Sequence, residues 1–83
     1  MTPADVSMKP WVENTVRALV DRPDAVEVRA MEGVRTVVLE VRCHPEDVGK
    51  VIGRNGKTVG AVRALAGTMA ARDGRRAVLE IVE

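Results

Sequence analysis

Two glycines three residues apart, with a cation between them, are the residues of this sequence best suited to hold a chain of phosphates. In the segment Gly53-Arg54-Asn55-Gly56 the first and last residues have no side chain, so a sugar-phosphate strand can approach the backbone closely. Arg54 and Lys57 add positive charge, and Asn55 can donate a hydrogen bond or adopt a left-handed turn. A helix starting after the loop would point its amides at the same space. This spacing predicts a site for an anionic backbone.

The charge around that loop differs from the charge of the whole chain, whose formal net value is only +1. Residues 1–41 carry five cations and seven acids, whereas residues 49–76 carry seven cations and one acid. The second segment therefore has a local excess of positive charge, which suits the binding of phosphates. Trp11 is the only aromatic residue, which excludes the stacking platform of RRM and OB domains. Any nucleic-acid contact must use amides, cations and aliphatic side chains.

Other kinds of site fit the sequence poorly. Gly56-Lys57-Thr58 ends like a Walker loop, but the first glycine of that motif would fall on Val51. Cys43 and His44 do not make a metal set, so a buried structural thiol and a capping or surface histidine are expected. No triad or paired-carboxylate pattern is present. The sequence therefore predicts a protein that is not an enzyme and needs no cofactor.

The length and the N-terminus limit the organisation of the chain. Its 83 residues suffice for one core, so a single domain over 1–83 is expected. Residues 1–5 lack the basic start and apolar run of a signal peptide, and no stretch approaches the roughly 20 apolar residues of a membrane span. We expect a cytoplasmic protein.

Hydrophobic spacing predicts the elements that must position the loop. A first helix is expected to be capped by Ser7, with Pro10 in its first turn, and to end near 21–24. An α+β fold of order α-β-β-α-α-β follows, with a mixed three-stranded sheet and its helices on one face. The other segments expected are strands over 26–30, 34–42 and 77–82, a short helix from Pro45 to Ile52, and a helix from about Lys57 to Ala71.

The run from Val48 to Thr58 resembles the core of a KH domain, in which an aliphatic pair precedes Gly-x-x-Gly with a basic residue inside. The element order matches the type II arrangement, and the chain resembles small bacterial RNA-binding proteins with one KH domain. This resemblance implies that the loop grips about four nucleotides of single-stranded RNA. It also implies an aliphatic groove beside the loop and a basic variable loop at about 72–76 on the opposite rim. The implied RNA-contact residues are Gly53, Arg54, Asn55, Gly56, Lys57, Lys50, Ile52, Val59, Arg63 and Arg75, with Val51 also lining the groove.

The resemblance implies partners as well as a ligand. It suggests a homodimer, or a heterodimer with a second KH protein, and roles in RNA chaperoning, ribosome assembly or post-transcriptional control. The alternative is a protein-interaction module whose RNA contact is incidental; Trp11 would then suit an interface as well as a core. Gly60 departs from the family pattern, which often has a lysine there, and Gly60 and Gly67 weaken their helix. Close packing at a dimer contact would account for both glycines.

Overall fold

The computed structural model describes residues 3–82, with side chains from residue 8 onward. The helices and strands, in chain order, are α1 Pro3–Leu19, β1 Glu27–Glu32, β2 Thr36–Arg42, α2 Val48–Ile52, α3 Lys57–Ala71 and β3 Arg76–Val82. Short 3-10 turns at Pro23–Ala25, Pro45–Asp47 and Arg54–Gly56 lead into β1, α2 and α3. This order confirms the predicted α-β-β-α-α-β arrangement.

The three strands form one mixed sheet with β2 in the middle. β1 and β2 pair antiparallel as a hairpin, with Val28 opposite Val41. β2 and β3 pair parallel, with Leu39 opposite Leu79, and the intervening α2 and α3 form the crossover that a parallel pair needs. The Val- and Leu-rich β2 therefore has the central position, as suits an apolar strand.

The core lies between one face of the sheet and the helices. β2 alternates buried and half-buried residues, as a strand covered on one face does. This alternation confirms that the helices pack on one side of the sheet. The buried apolar residues are Met8, Val12 and Val16 of α1, Val26, Val28, Val37, Leu39, Val41 and Leu79 of the sheet and its approach, Val51 of α2, and Val59, Val62, Ala66 and Ala70 of α3.

Several boundaries differ from those that the sequence predicts. α1 begins at Pro3 instead of being capped by Ser7, so Pro10 lies inside the helix, where its missing N–H removes one helical hydrogen bond. β1 runs two residues further than expected, to Glu32. β2 begins only at Thr36, and Val34 is 92% exposed at the hairpin tip. The β-branched side chain of Val34 suits a strand, but the turn overrides that preference.

A buried carboxylate ties the start of α2 to the segment that follows α1. The Asp47 side chain is fully buried, and its Oδ2 accepts a hydrogen bond from the Arg22 amide at 3.1 Å. Its Oδ1 lies 3.5 Å from a guanidinium nitrogen of Arg22 and 3.7 Å from Lys50 Nζ. His44 caps the preceding turn, because its Nδ1 accepts from the Glu46 amide at 3.1 Å, as a capping histidine was expected to do. Asp47 thus fixes the direction in which α2 approaches the loop.

The single thiol of the chain, that of Cys43, lies beside the core and near Asp47. Cys43 is half-buried against the core; burial raises the pKa of its thiol, and the Asp47 carboxylate raises it further, which suits the expected structural role. Among the described residues, no three His, Cys, Asp or Glu side chains are grouped as metal ligands would be. No helix in this part of the chain is long and apolar enough to cross a membrane.

We expect Asp47→Asn to lower the free energy of unfolding by about 1–3 kcal/mol, because it removes the charge from a buried acceptor whose partners are arranged around it. Glu46→Gln is the matched control, since it makes the same charge change on an exposed side chain that also pairs with Arg22, at 2.9 Å. The control should lose less than about 1 kcal/mol. Urea denaturation followed by circular dichroism measures both. Equal losses in the two variants would contradict the anchoring role of Asp47.

Candidate nucleic-acid interface

Three residues with positive φ shape the turn between α2 and α3. Gly53 has φ 78° and ψ 170°, Asn55 has φ 57° and ψ 26°, and Gly56 has φ 74° and ψ 13°. The Gly53 amide donates to the Gly49 carbonyl at 2.9 Å and ends α2, and the Gly56 amide donates to the Gly53 carbonyl at 3.1 Å. Glycine adopts this region without steric cost, and asparagine enters it more readily than most residues. The sequence-predicted loop is thus a tight turn with a defined backbone.

Gly53 is needed for a second reason, which is its close approach to the first turn of α3. A Cβ added at Gly53 would lie 2.9 Å from the Thr58 amide nitrogen and would overlap the Thr58 hydroxyl group. At Gly56 an added Cβ would meet no atom within 4 Å, so only the backbone conformation favours glycine there. The first glycine therefore lets α2 and α3 meet closely, and the second only turns the chain.

The loop presents positive charge from two sources. The side chains of Arg54 and Lys57 are exposed on either side of Asn55, which is exposed as well. α3 starts at Lys57, and the first amides of a helix have no helical carbonyl partner and carry partial positive charge. The structure brings these groups together around one short turn, which is the arrangement that an anionic backbone requires.

The aliphatic residues expected beside the loop divide into two groups. Ile52 is 37% exposed and can contact a ligand next to the loop. Val59 is 6% exposed and, like Val51, belongs to the core, so the two valines offer little surface and their place in the groove stays a prediction. Both valines are part of the buried apolar cluster of the domain. Of the three aliphatic residues, only Ile52 offers an accessible surface.

Lys50 is positioned by acids. Its Nζ lies 3.2 Å from an Asp21 carboxylate oxygen and 3.7 Å from Asp47 Oδ1. The side chain therefore leans from α2 toward the connection between α1 and β1, where carboxylates already balance its charge. The structure places this predicted contact residue in an ion-pair network instead of among the loop cations.

Arg63 lies between the loop and the edge of the sheet. Its Nε donates to the Leu79 carbonyl of β3 at 3.2 Å, while the residue as a whole remains exposed. This bond orients the guanidinium along the β3 edge and leaves its terminal nitrogens for another acceptor. Sequence spacing placed Arg63 on α3 but could not show that it binds β3.

Arg75 and the turn around it lie away from the loop. The Arg75 side chain is only 10% exposed, with one guanidinium nitrogen 3.1 Å from Glu32 Oε1 and the other 3.9 Å from Asp73 Oδ2. The turn at 72–75 follows the last residue of α3, and a 15-residue helix separates it from the loop by about 22 Å. Arg75 therefore joins two turns, and its contact with RNA, like the place of residues 72–76 on the opposite rim, stays a prediction.

An open apolar groove that the sequence did not predict runs between α1 and α3. Trp11 is half-buried there, whereas Leu65 is 54% exposed, although it follows the buried Val62 at a helical spacing of three residues. The groove starts beside the loop, because Lys57 and Thr58 are part of its wall. Spacing alone could not separate a residue facing the sheet from one facing a neighbouring helix. The lining residues are Trp11, Thr15 and Leu19 of α1 and Lys57, Thr58, Ala61, Val62 and Leu65 of α3.

Comparison with known proteins gives consistent matches over almost the whole chain. A sequence model of the family described as KhpA/KhpB, KH domain, matches residues 9–81. The chain is 41% identical over 71 residues to the RNA-binding protein KhpA of Caldanaerobacter subterraneus subsp. tengcongensis, a match that covers 86% of this chain and 95% of that protein. It is 43% identical over 77 residues to RNA-binding protein KhpA of Aquifex aeolicus, covering 93% and 98%, and 45% identical over 76 residues to that of Leifsonia xyli, covering 92% and 97%. No solved structure matches significantly.

Glycines in and after the loop should respond to alanine in opposite directions. Gly53→Ala should lower the free energy of unfolding by more than about 1 kcal/mol, because of its positive φ and its contact with Thr58. Gly60→Ala should raise it by about 0.5–1 kcal/mol, since it lies in α3 where an added Cβ meets nothing within 4 Å. Gly67 is equally open, so close packing within the chain does not explain either helical glycine. Urea denaturation measures the free energy of unfolding of both variants. A Gly53→Ala protein as stable as the parent would contradict the steric argument.

Proposed function

The chain belongs to the KhpA/KhpB family of KH domains, and from this premise we propose that it binds single-stranded RNA through the loop at residues 53–56. The loop geometry carries the proposal: three positive-φ residues leave a bare turn between exposed Arg54 and Lys57, at the start of α3. The relatives are named RNA-binding proteins, in agreement with the ligand that the sequence predicts and with a role other than that of an enzyme. The proposal treats residues 1–83 as one KH domain.

The mode of binding follows from which groups are accessible. Loop amides and the side chains of Arg54 and Lys57 contact phosphates of about four nucleotides. Bases lie on Ile52 and along the guanidinium of Arg63, which β3 holds in place. Because these contacts engage the RNA backbone and the faces of the bases, base discrimination is modest. Lys50, Val59 and Arg75 hold the structure around these groups in place.

The biological setting is an inference from the resemblance. Binding an RNA backbone with little base preference suits RNA chaperoning, ribosome assembly or post-transcriptional control, all of which take place in the cytoplasm. A heterodimer with a KhpB-like second KH protein would join two loops on one RNA strand and raise the overall affinity.

Replacing Arg54 and Asn55 together with aspartate should weaken binding of a single-stranded RNA by about tenfold or more, because two acids then face the phosphates. Aspartate tolerates the left-handed conformation of residue 55 almost as well as asparagine does, so the loop should keep its shape. Fluorescence anisotropy with a labelled oligonucleotide measures the affinity, and thermal unfolding verifies the fold.

The matched control is Asn14→Asp with Arg17→Asp, two exposed residues of α1 that change from the same types and by the same net charge. This control should retain most of the affinity. Equal weakening in both variants would show a general charge effect, and unchanged binding by a folded loop variant would contradict the loop mechanism.

A second candidate function is self-association through the apolar groove between α1 and α3. The groove has an apolar floor and, in Leu65, an exposed side chain that projects from its wall. A two-fold contact needs one surface that is complementary to itself, and a groove with its own projecting residue meets that need. We propose a second copy of this chain as the occupant. Two loops on one dimer would bind a longer RNA more tightly than one.

Leu65→Glu should shift the protein from dimer to monomer, because a carboxylate in the groove would lose its water on association. Val34→Glu is the control, since Val34 is exposed at the hairpin tip, remote from the groove. Analytical ultracentrifugation across a range of concentrations and salt separates an apolar interface, which tolerates salt, from one based on charge. A parent protein that is monomeric at all concentrations, or equal dissociation in both variants, would contradict the proposal.

A further inference from the structure

The segment Gly56-Lys57-Thr58 combines three residue types that bind phosphates, although its spacing excludes a Walker loop. Gly56 turns the chain, and Lys57 is one of the exposed cations of the loop. Thr58 is the second residue of α3 and is half-buried. Of the three, only Thr58 has no part in the proposed binding mode.

The Thr58 side chain is directed back at the loop. Side chains of an α-helix tilt toward its N-terminus, which for α3 is the side of the loop. A Cβ added at Gly53 would overlap the Thr58 hydroxyl group and would lie 2.9 Å from the Thr58 amide nitrogen. Two hydrogen-bond donors of one residue therefore lie beside the bare peptide at Gly53. A ligand oxygen that approaches the turn there comes within reach of both.

The Thr58 hydroxyl group is unsatisfied within the protein. None of the side-chain hydrogen bonds among residues 8–82 uses it. Thr68, further along the same helix, shows the usual alternative, because its hydroxyl donates to the Ala64 carbonyl one turn earlier, at 3.1 Å. One turn before Thr58 the chain is not α-helical, since Arg54 lies in the loop. The Thr58 hydroxyl is thus available to a ligand, whereas that of Thr68 is already bonded.

We propose that the Thr58 hydroxyl donates a hydrogen bond to a phosphate of the RNA held at the loop. The inference rests on the proposed function, because it assumes an RNA bound at residues 53–56. It adds a neutral, directional donor to a site whose other side-chain donors include the flexible, charged Lys57. The hydroxyl, fixed against Gly53, determines where the phosphate lies, and the cations supply most of the electrostatic attraction.

Thr58→Val tests the role of the hydroxyl, because valine keeps the β-branched shape and removes only the donor. The affinity for an oligouridine of about six nucleotides should fall about threefold to tenfold, as expected for one lost hydrogen bond. The midpoint of thermal unfolding should not fall, because no hydrogen bond within the protein is lost. Thr58→Ser keeps the hydroxyl and should retain most of the affinity. Thr68→Val is the matched control, the same substitution on the same helix at a hydroxyl that is already bonded, and should leave the affinity unchanged.

Salt dependence distinguishes a neutral donor from a cation. Thr58→Val should leave the slope of log K against log salt unchanged, since no counterion is released on its account. Lys57→Gln should reduce the magnitude of that slope by about 0.7, the value for one phosphate contact on a single strand. An equal reduction in both variants would mean that Thr58→Val acts by displacing the loop cations, and it would overturn the proposal.

A set of oligonucleotides identifies the phosphate that Thr58 contacts. Each carries one uncharged methylphosphonate linkage next to a 2′-deoxy sugar, so that one phosphate at a time loses its charge and an acceptor. At the contacted linkage this change should weaken binding to the parent protein more than binding to Thr58→Val, because the two changes remove the same hydrogen bond. Strictly additive effects at every linkage would contradict a direct contact.

The outcomes separate this inference from the loop mechanism. If the Arg54/Asn55 double aspartate variant loses affinity and Thr58→Val does not, the hydroxyl is only hydrated; the inference is then overturned and the loop mechanism stands. A loss of affinity in Thr58→Val that Thr58→Ser shares would assign the effect to packing of the side chain and also overturn it. If none of these variants changes RNA binding by the folded protein, the proposed function itself fails.

Discussion

The close approach of Gly53 to the first turn of α3 decides how the two halves of the crossover meet. A side chain at Gly53 would overlap Thr58, so α2 and α3 reach their present distance only because that side chain is absent. α3 leads directly into β3, which must lie beside β2 in a fixed register. The angle at the loop therefore determines where the last strand arrives. The same missing side chain exposes the peptide groups that a ligand backbone can approach, so folding and binding depend on one constraint.

Positive charge in this chain has two uses that the sequence does not distinguish. Lys50 and Arg75 compensate acids, Lys50 in the network around buried Asp47 and Arg75 between two turns. Arg54 and Lys57 face solvent around a turn with no acid in it. The excess of cations over residues 49–76 thus overstates the charge available to a ligand. Burial and pairing decide which cations a phosphate can reach.

The sequence predicted the elements better than it predicted the directions of their side chains. Helical periodicity and turn residues gave α3 its bounds, Lys57 to Ala71, because these signals are local. Val59 and Leu65 are both apolar residues of α3, yet Val59 is buried in the core and Leu65 lies in the open groove, a difference that helical spacing alone does not show. Arg75 was taken for a ligand contact because its acidic partner Glu32 is 43 residues away in the sequence.

The parallel pairing of β2 with β3 couples the loop at residues 53–56 to the completion of the sheet. Each residue of β2 pairs with one 40 positions later, as Thr36 does with Arg76. Such non-local pairs form late, since the entropy of closing a long loop opposes them until the intervening helices have shortened the chain. The loop at 53–56 lies inside this closed segment, between the helices that bring the two strands together. A strand of RNA that binds only the assembled turn would therefore also stabilise the last strand of the sheet, through linkage and without touching it.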